Sequence, residues 1–222
     1  MKNITIIMTA YNRKKLFEET VCSLHSANAS FRLVVIENYS TDGTIELARE
    51  MRDKGIITDL LQPEKKLPML YQTQLIGIDY VLRDSKPDIL LLTADDFAFK
   101  PEWFNTLISW YSEAPPNVAF CSLYKEPDWW WNAIYSTLKS DGYKAFVRRT
   151  VPGANWAMRL EDWKFIEPKF REWVHDGQLD VNMCEWVYKN NKICCALDLA
   201  EHIGKFDSLY GNISYQPKPE GK

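Results

Sequence analysis

Asp88-Ile-Leu-Leu-Leu-Thr-Ala-Asp-Asp-Phe-Ala-Phe-Lys-Pro101 is the stretch that decides the fold. Ile89 to Thr93 is an unbroken apolar or near-apolar run, the pattern of a strand buried on both faces of a parallel sheet. It leads straight into Asp95 and Asp96. Carboxylates at the end of a buried strand are costly unless something cationic neutralises them. Pro101 and Glu102 suit the first turn of a helix, so the predicted order is buried strand, acidic pair, short loop, helix. Ligands of open α/β sheets sit outside the carboxyl ends of the strands. The two aspartates therefore stand where chemistry is expected, and a divalent metal is the reading they suggest. A helix-capping pair is the plainer alternative.

Working outward, Ile4 to Met8 reads as a first strand ending in Thr9-Ala-Tyr-Asn-Arg13, followed by helical spacing over 14–25 through Leu16, Thr20 and Leu24. Arg32 to Ile36 is a second strand that runs into Glu37-Asn-Tyr-Ser-Thr-Asp-Gly-Thr44. Thr41 and Asp42 are capping types ahead of a helix over 45–51. Ile56 to Leu61 is a weaker third strand, and 67–83 is amphipathic through Leu70, Gln74, Ile78 and Val81. Strands alternating with helices at this spacing predict βαβ units and a parallel sheet to about Glu113. No G-x-G-x-x-G follows the first strand and no P-loop pattern occurs, which argues against a dinucleotide cofactor or a P-loop NTPase.

Beyond Val118 to Leu123, another strand, the chain changes character. Residues 124–149 are aromatic and irregular, with Trp129-Trp130-Trp131 and a turn signal at Asp141-Gly142. Ala154 to Leu160 reads as a strand, Glu161-Asp162 as a helix start, 179–189 as a helix and Ile193 to Leu197 as a last strand before Glu201-His-Ile-Gly204. The tail from Gln216 is expected to be disordered.

Composition sets the bounds. A net charge of −3 offers no basic surface for nucleic acid. Nine Trp within 14% aromatics exceed what a core needs, and such surplus often lines a binding groove. The cysteines are odd in number and lack C-x-x-C spacing, so free buried thiols in a reducing compartment are expected. The N-terminal apolar run is too short for a signal peptide, and no stretch approaches the roughly 20 apolar residues of a membrane span. A cytoplasmic protein is the expectation.

Taken together, these motifs resemble the GT-A-fold glycosyltransferases of the family-2 type, from Ile4 to about Gly204. Thr9-Ala-Tyr-Asn-Arg13 is similar to that family's first-strand loop and Glu37 to Thr44 to its nucleoside-approaching signature. Thr93-Ala-Asp-Asp96 is similar to its metal-binding D-x-D region, and His202 falls where many members carry a metal-site histidine. Three positions depart from the pattern: Glu37 for Asp, Tyr39 for Gly, and Thr93 for the first aspartate of D-x-D. The Gln-x-x-Arg-Trp signature of processive synthases is absent, so transfer of a single sugar is implied.

The resemblance implies a Rossmann-like, mostly parallel central sheet flanked by helices, with an aromatic-rich acceptor lobe. It implies one GT-A domain over 1–222: a donor half to about 113, an acceptor half over about 114–210, and a tail. Asp95, Asp96 and His202 would hold Mn²⁺ or Mg²⁺, the imidazole tilting the choice to Mn²⁺. Thr9, Tyr11, Glu37 and Asp96 would face the nucleoside or its ribose, with Arg13 towards the diphosphate. Asp180, or Asp176 in reserve, would be the base of an inverting transfer from a nucleotide-sugar donor, UDP-linked by preference, to a glycan or other hydroxyl-bearing acceptor. Trp129, Trp130 and Trp131 offer planes that suit pyranose faces. Two alternatives remain: a nucleotidyltransferase, which would carry a Gly-rich loop after the first strand, and a non-catalytic carbohydrate-binding or assembly protein on the same fold.

Overall fold

The computed structural model describes residues 3–125, 134–140 and 143–204. Its first half runs β1 (Ile4–Ala10), α1 (Lys14–His25), β2 (Arg32–Glu37), α2 (Thr44–Asp53), β3 (Asp59–Leu61), α3 (Leu70–Asp84) and β4 (Ile89–Ala94). The four strands lie side by side as β3-β2-β1-β4, all parallel. Every residue of β1 and β4 is buried, because helices cover both faces of the sheet. The second half runs β5 (Phe97–Phe99), α4 (Trp103–Glu113), β6 (Val118–Tyr124), β7 (Ile134–Ser140), β8 (Tyr143–Arg148), β9 (Asn155–Arg159), α5 (Leu160–Trp173), α6 (Leu179–Lys189) and β10 (Ile193–His202). It extends the sheet from β4 in the order β9-β6-β10-β8-β7, with β9 antiparallel to both β4 and β6, and β10 parallel to β6.

Two apolar layers sandwich the sheet. Phe17, Val21 and Leu24 of α1, Met51 of α2 and Trp103, Leu107 and Trp110 of α4 fill one side. Ile78 and Val81 of α3, Trp163, Ile166 and Phe170 of α5, and Met183 and Val187 of α6 fill the other. Gly77 lets α3 lie directly on the parallel strands: a Cβ there would overlap Ile7 and stand 2.6 Å from Ile36 Cδ1.

Several boundaries differ from the sequence expectation, each for a physical reason. The buried face of α1 is set by Phe17 and Val21, while Leu16 is only partly covered. Helix α3 begins at Leu70, since Pro68 disfavours helical geometry at the residue before it. The loop expected after Asp96 holds β5, which pairs antiparallel with the end of β10 at Phe97 and His202, Ala98 and Glu201, and Phe99 and Ala200. β10 correspondingly runs to His202 rather than ending at Leu197. Asp198 interrupts its apolar run, but Leu199 and Ala200 return to the core. Residues 134–148, expected to be irregular, contain the antiparallel pair β7 and β8, with Ala145 and Val147 buried and Lys144 exposed. Asp141-Gly142, Trp129, Trp130, Trp131 and the tail lie outside the described residues.

All five cysteines are unbridged, and Cys22 is exposed on α1 rather than buried. Among the described residues no helix is long and apolar enough to cross a membrane.

Candidate active site

The site forms at the carboxyl ends of β1, β2 and β4. β4 delivers Asp95 and Asp96, both 4% exposed. The Tyr11 backbone N–H donates to Asp95 Oδ2 at 2.8 Å. Arg13 donates through Nη1 to Asp96 Oδ2, and the same nitrogen lies 3.8 Å from Asp95 Oδ1. From the far end of the chain His202 Nε2 reaches Asp96 Oδ2 at 3.0 Å, its ring packed on Phe97 and Tyr124. The β5–β10 pairing makes this meeting possible, and the Ile203 N–H donates to the Asp96 carbonyl at 2.9 Å. Gly204 completes the wall, since a Cβ there would stand 2.6 Å from Asp96 Oδ2.

The two carboxyls titrate apart. Burial pushes Asp95 up to about 7, the Asp96 charge adding to it against the Tyr11 N–H and Arg13. Burial would raise Asp96 too, but His202 and Arg13 together outweigh it and hold that carboxyl below its ordinary range. One oxygen stays unsatisfied: Asp96 Oδ1 is buried with no hydrogen-bond partner. A buried carboxylate oxygen left this way costs free energy that a cation would recover. Oxygen donors from Asp95 and Asp96 beside an imidazole are a donor set that suits Mn²⁺, so the residues present fit a divalent ion at Asp96. No group of three or more acidic, His or Cys side chains stands ready-made for a metal among the described residues, and Arg13 is paired with the same Asp96 oxygen that His202 reaches.

The second loop is a clamp. Glu37 is fully buried and accepts from Ser40 N–H at 2.6 Å, Tyr39 N–H at 3.1 Å and Gln62 Nε2 at 2.8 Å. The longer Glu thus closes on its own loop, which holds Tyr39 at φ 63 where the family pattern has glycine. Tyr39 is nevertheless anchored, its hydroxyl donating to the Pro63 and Glu64 carbonyls. Asn38 exchanges two hydrogen bonds with the Leu67 backbone. Residues 62–67 are therefore strapped across the end of β2, and Lys66 lies 4.1 Å above the Tyr11 ring. Asp42 accepts from Lys14 N–H and from both Thr44 N–H and its hydroxyl, tying the starts of α1 and α2 together. Thr9 is buried near the end of β1.

Of the candidate bases, Asp176 is exposed and spends its oxygens on Gln178 N–H and Asn182 Nδ2. Asp180 opens α6 more deeply. Burial raises its carboxyl above the ordinary value, with Val181 and Gly153 N–H groups pulling the other way. Gly153 permits the close packing, since a Cβ there would overlap the Tyr71 hydroxyl and lie 3.0 Å from Asp180 Cβ. Asp162 is held instead by Arg159 at 2.7 Å and Lys192 at 2.8 Å. Sequence reasoning missed Gln62, Lys66 and the role of Arg13 as partner of the acid pair. A cation near Asp95 was required by burial alone, but nothing in the spacing said which.

A mostly parallel sheet with an acidic pair at its carboxyl edge is the architecture expected of the resemblance, and comparison with known proteins supplies the family. The chain belongs to the family described as Glycosyl transferase family 2, whose pattern matches residues 5–162. No curated protein matches it by sequence. Among solved structures it is similar to Staphylococcus aureus TarS (residues 1–349), with TM-score 0.61 and 15% identity over 88% of this chain and 58% of that one. It is also similar to the mannosyltransferase PcManGT of Pyrobaculum calidifontis in complex with GDP-Man and Mn²⁺, with TM-score 0.62 and 17% identity over 92% and 58%. GalNAc-T7 with UDP, GalNAc and Mn²⁺ gives TM-score 0.62 and 11% identity over 90% and 43%. These likenesses establish the GT-A fold. The chain spans less than two thirds of each of these structures.

Proposed function

We propose that this protein is a metal-dependent, inverting glycosyltransferase that moves one sugar from a nucleoside diphosphate donor to an acceptor hydroxyl. The observation that carries the reading is the buried, unpartnered Asp96 Oδ1 beside Asp95 and His202, a carboxylate oxygen that a cation would satisfy. Asp95, Asp96 and His202 would hold the ion. When bound, a divalent ion neutralises the charge that grows on the departing diphosphate. Thr9, Tyr11 and the strap at 62–67 would receive the nucleoside, with Glu37 shaping that pocket as well as touching its ligand. UDP is the favoured donor nucleotide, and the GDP-Man and UDP complexes of the similar structures support a nucleotide-sugar of some kind.

Asp180 would take the acceptor's proton as its oxygen bonds to the anomeric carbon and the carbon–phosphate oxygen bond breaks, its electron pair leaving with the diphosphate. A carboxyl raised by burial is a stronger base than an exposed one. Asp176 is the reserve, and Trp129 to Trp131 the candidate acceptor platform.

Thermal unfolding with UDP, GDP, CDP and dTDP, each with Mn²⁺ or chelator, tests this. Saturation near 100-fold over Kd is worth about 2.7 kcal/mol, or roughly 5–10 °C in a chain of this size. A shift with one nucleotide that vanishes with chelator is expected; no shift with any of the four would overturn the reading. Asp180→Asn is then expected to abolish transfer while keeping the shift, and retained turnover would dismiss Asp180 as base.

A further inference from the structure

The acid pair carries a cation of its own. Among the described residues, Arg13 is the one Lys or Arg paired with Asp95 or Asp96, and its side chain is only 11% exposed. Its backbone is pinned: the Arg13 carbonyl accepts from Phe17 N–H at 2.8 Å, and the neighbouring Asn12 bonds to Ser40 and Thr41. The guanidinium ends a long side chain and holds Asp96 through Nη1. Its planar fork fits phosphate oxygens as well as it fits a carboxylate. Asp96 Oδ1 is left over, so Arg13 holds the pair without saturating it. A divalent ion approaching Asp96 meets the guanidinium charge on the same carboxylate, at a separation where like charges repel strongly in a partly buried site.

We propose that Arg13 is the resident counter-ion of the acid pair and couples metal entry to nucleotide. Without nucleotide it holds Asp96 against divalent cations; with nucleotide the diphosphate takes over the guanidinium, and Asp96 is released to the metal. This rests on the reading of Asp95, Asp96 and His202 as a metal site.

Mn²⁺ binding, measured by calorimetry and by the paramagnetic resonance of free Mn²⁺, tests it on wild type, Arg13→Gln and Arg13→Lys. Without nucleotide, Arg13→Gln is expected to bind Mn²⁺ roughly tenfold tighter than wild type or more. Arg13→Lys, which keeps a cation for folding but loses the fork, is expected to bind about threefold tighter. Adding UDP or GDP is expected to tighten Mn²⁺ on wild type far more than on Arg13→Gln. If Mn²⁺ binds wild type and neither substitution tightens it, the role given to Arg13 falls while the metal site stands. If Mn²⁺ binds none of the three with any nucleoside diphosphate, the metal site falls and this inference with it.

Discussion

Replacing Asp95 by Asn removes a buried carboxyl that burial pushes up to about 7, and its effect is signed by pH. The Asp95 carboxyl titrates at about 7 in the fold against an ordinary 3.8. The folded state therefore holds this proton more tightly than the unfolded chain does. Stability from that difference is present below pH 4 and is lost as pH rises through 7. At about 1.4 kcal/mol per pH unit between the two values, the ionised carboxylate costs ~4 kcal/mol at pH 8. An Asn at 95 has no proton to lose, and its carbonyl still accepts the Tyr11 N–H. It gives up the attraction of Arg13 but also the repulsion of Asp96, so the net gain is expected at ~1–4 kcal/mol. Urea unfolding in chelator at pH 4 and pH 8 measures it. The variant should match wild type at pH 4 and exceed it at pH 8. A variant less stable than wild type at pH 8, or a difference unchanged with pH, would refute the burial argument.

Gly77→Ala gains about 1 kcal/mol of helix propensity but drives a Cβ into Ile7 and Ile36; overpacking of about 1–3 kcal/mol should win. Thermal melting would then show a lower Tm. Gly204→Ala pushes against Asp96 and is expected to weaken metal-dependent nucleotide binding about tenfold, as titration calorimetry would show, and to lower Tm without ligand by overpacking. Glu37→Gln turns an amide donor towards the Tyr39 N–H, Ser40 N–H or Gln62 donors and should cost about 1–3 kcal/mol in urea unfolding.

The parallel half was legible because its signal is local. The apolar runs at Ile4 and Ile89 and the loop at Glu37 to Thr44 mark strands and turns within a few residues of themselves. The acid pair was legible for the same reason, since a buried run ending in two carboxylates needs no partner to look unusual. β5 was not legible: Phe97-Ala-Phe99 is three residues long and becomes a strand only by pairing with β10. The extension of β10 past Asp198 depends on that same pairing. The partner of Asp96 was hidden for a different reason. Arg13 sits in a run of three cations, Arg13, Lys14 and Lys15, and their sequence spacing does not distinguish the one that turns inward.

The pairing of β5 with β10 also has a bearing on the order in which the chain is made. His202 is 106 residues beyond Asp96, whereas Arg13 precedes it by 83. During synthesis, which releases the N-terminal part first, the parallel half emerges with its acid pair and its guanidinium together, long before the imidazole exists. The nascent sheet never has to bury two bare carboxylates. Until residues 193–202 are released, β6 and β5 each lack the neighbour that β10 provides, and such unpaired edges invite association with other chains. A chain stopped just before Ile193 would keep Arg13 beside its acid pair and still be prone to aggregate.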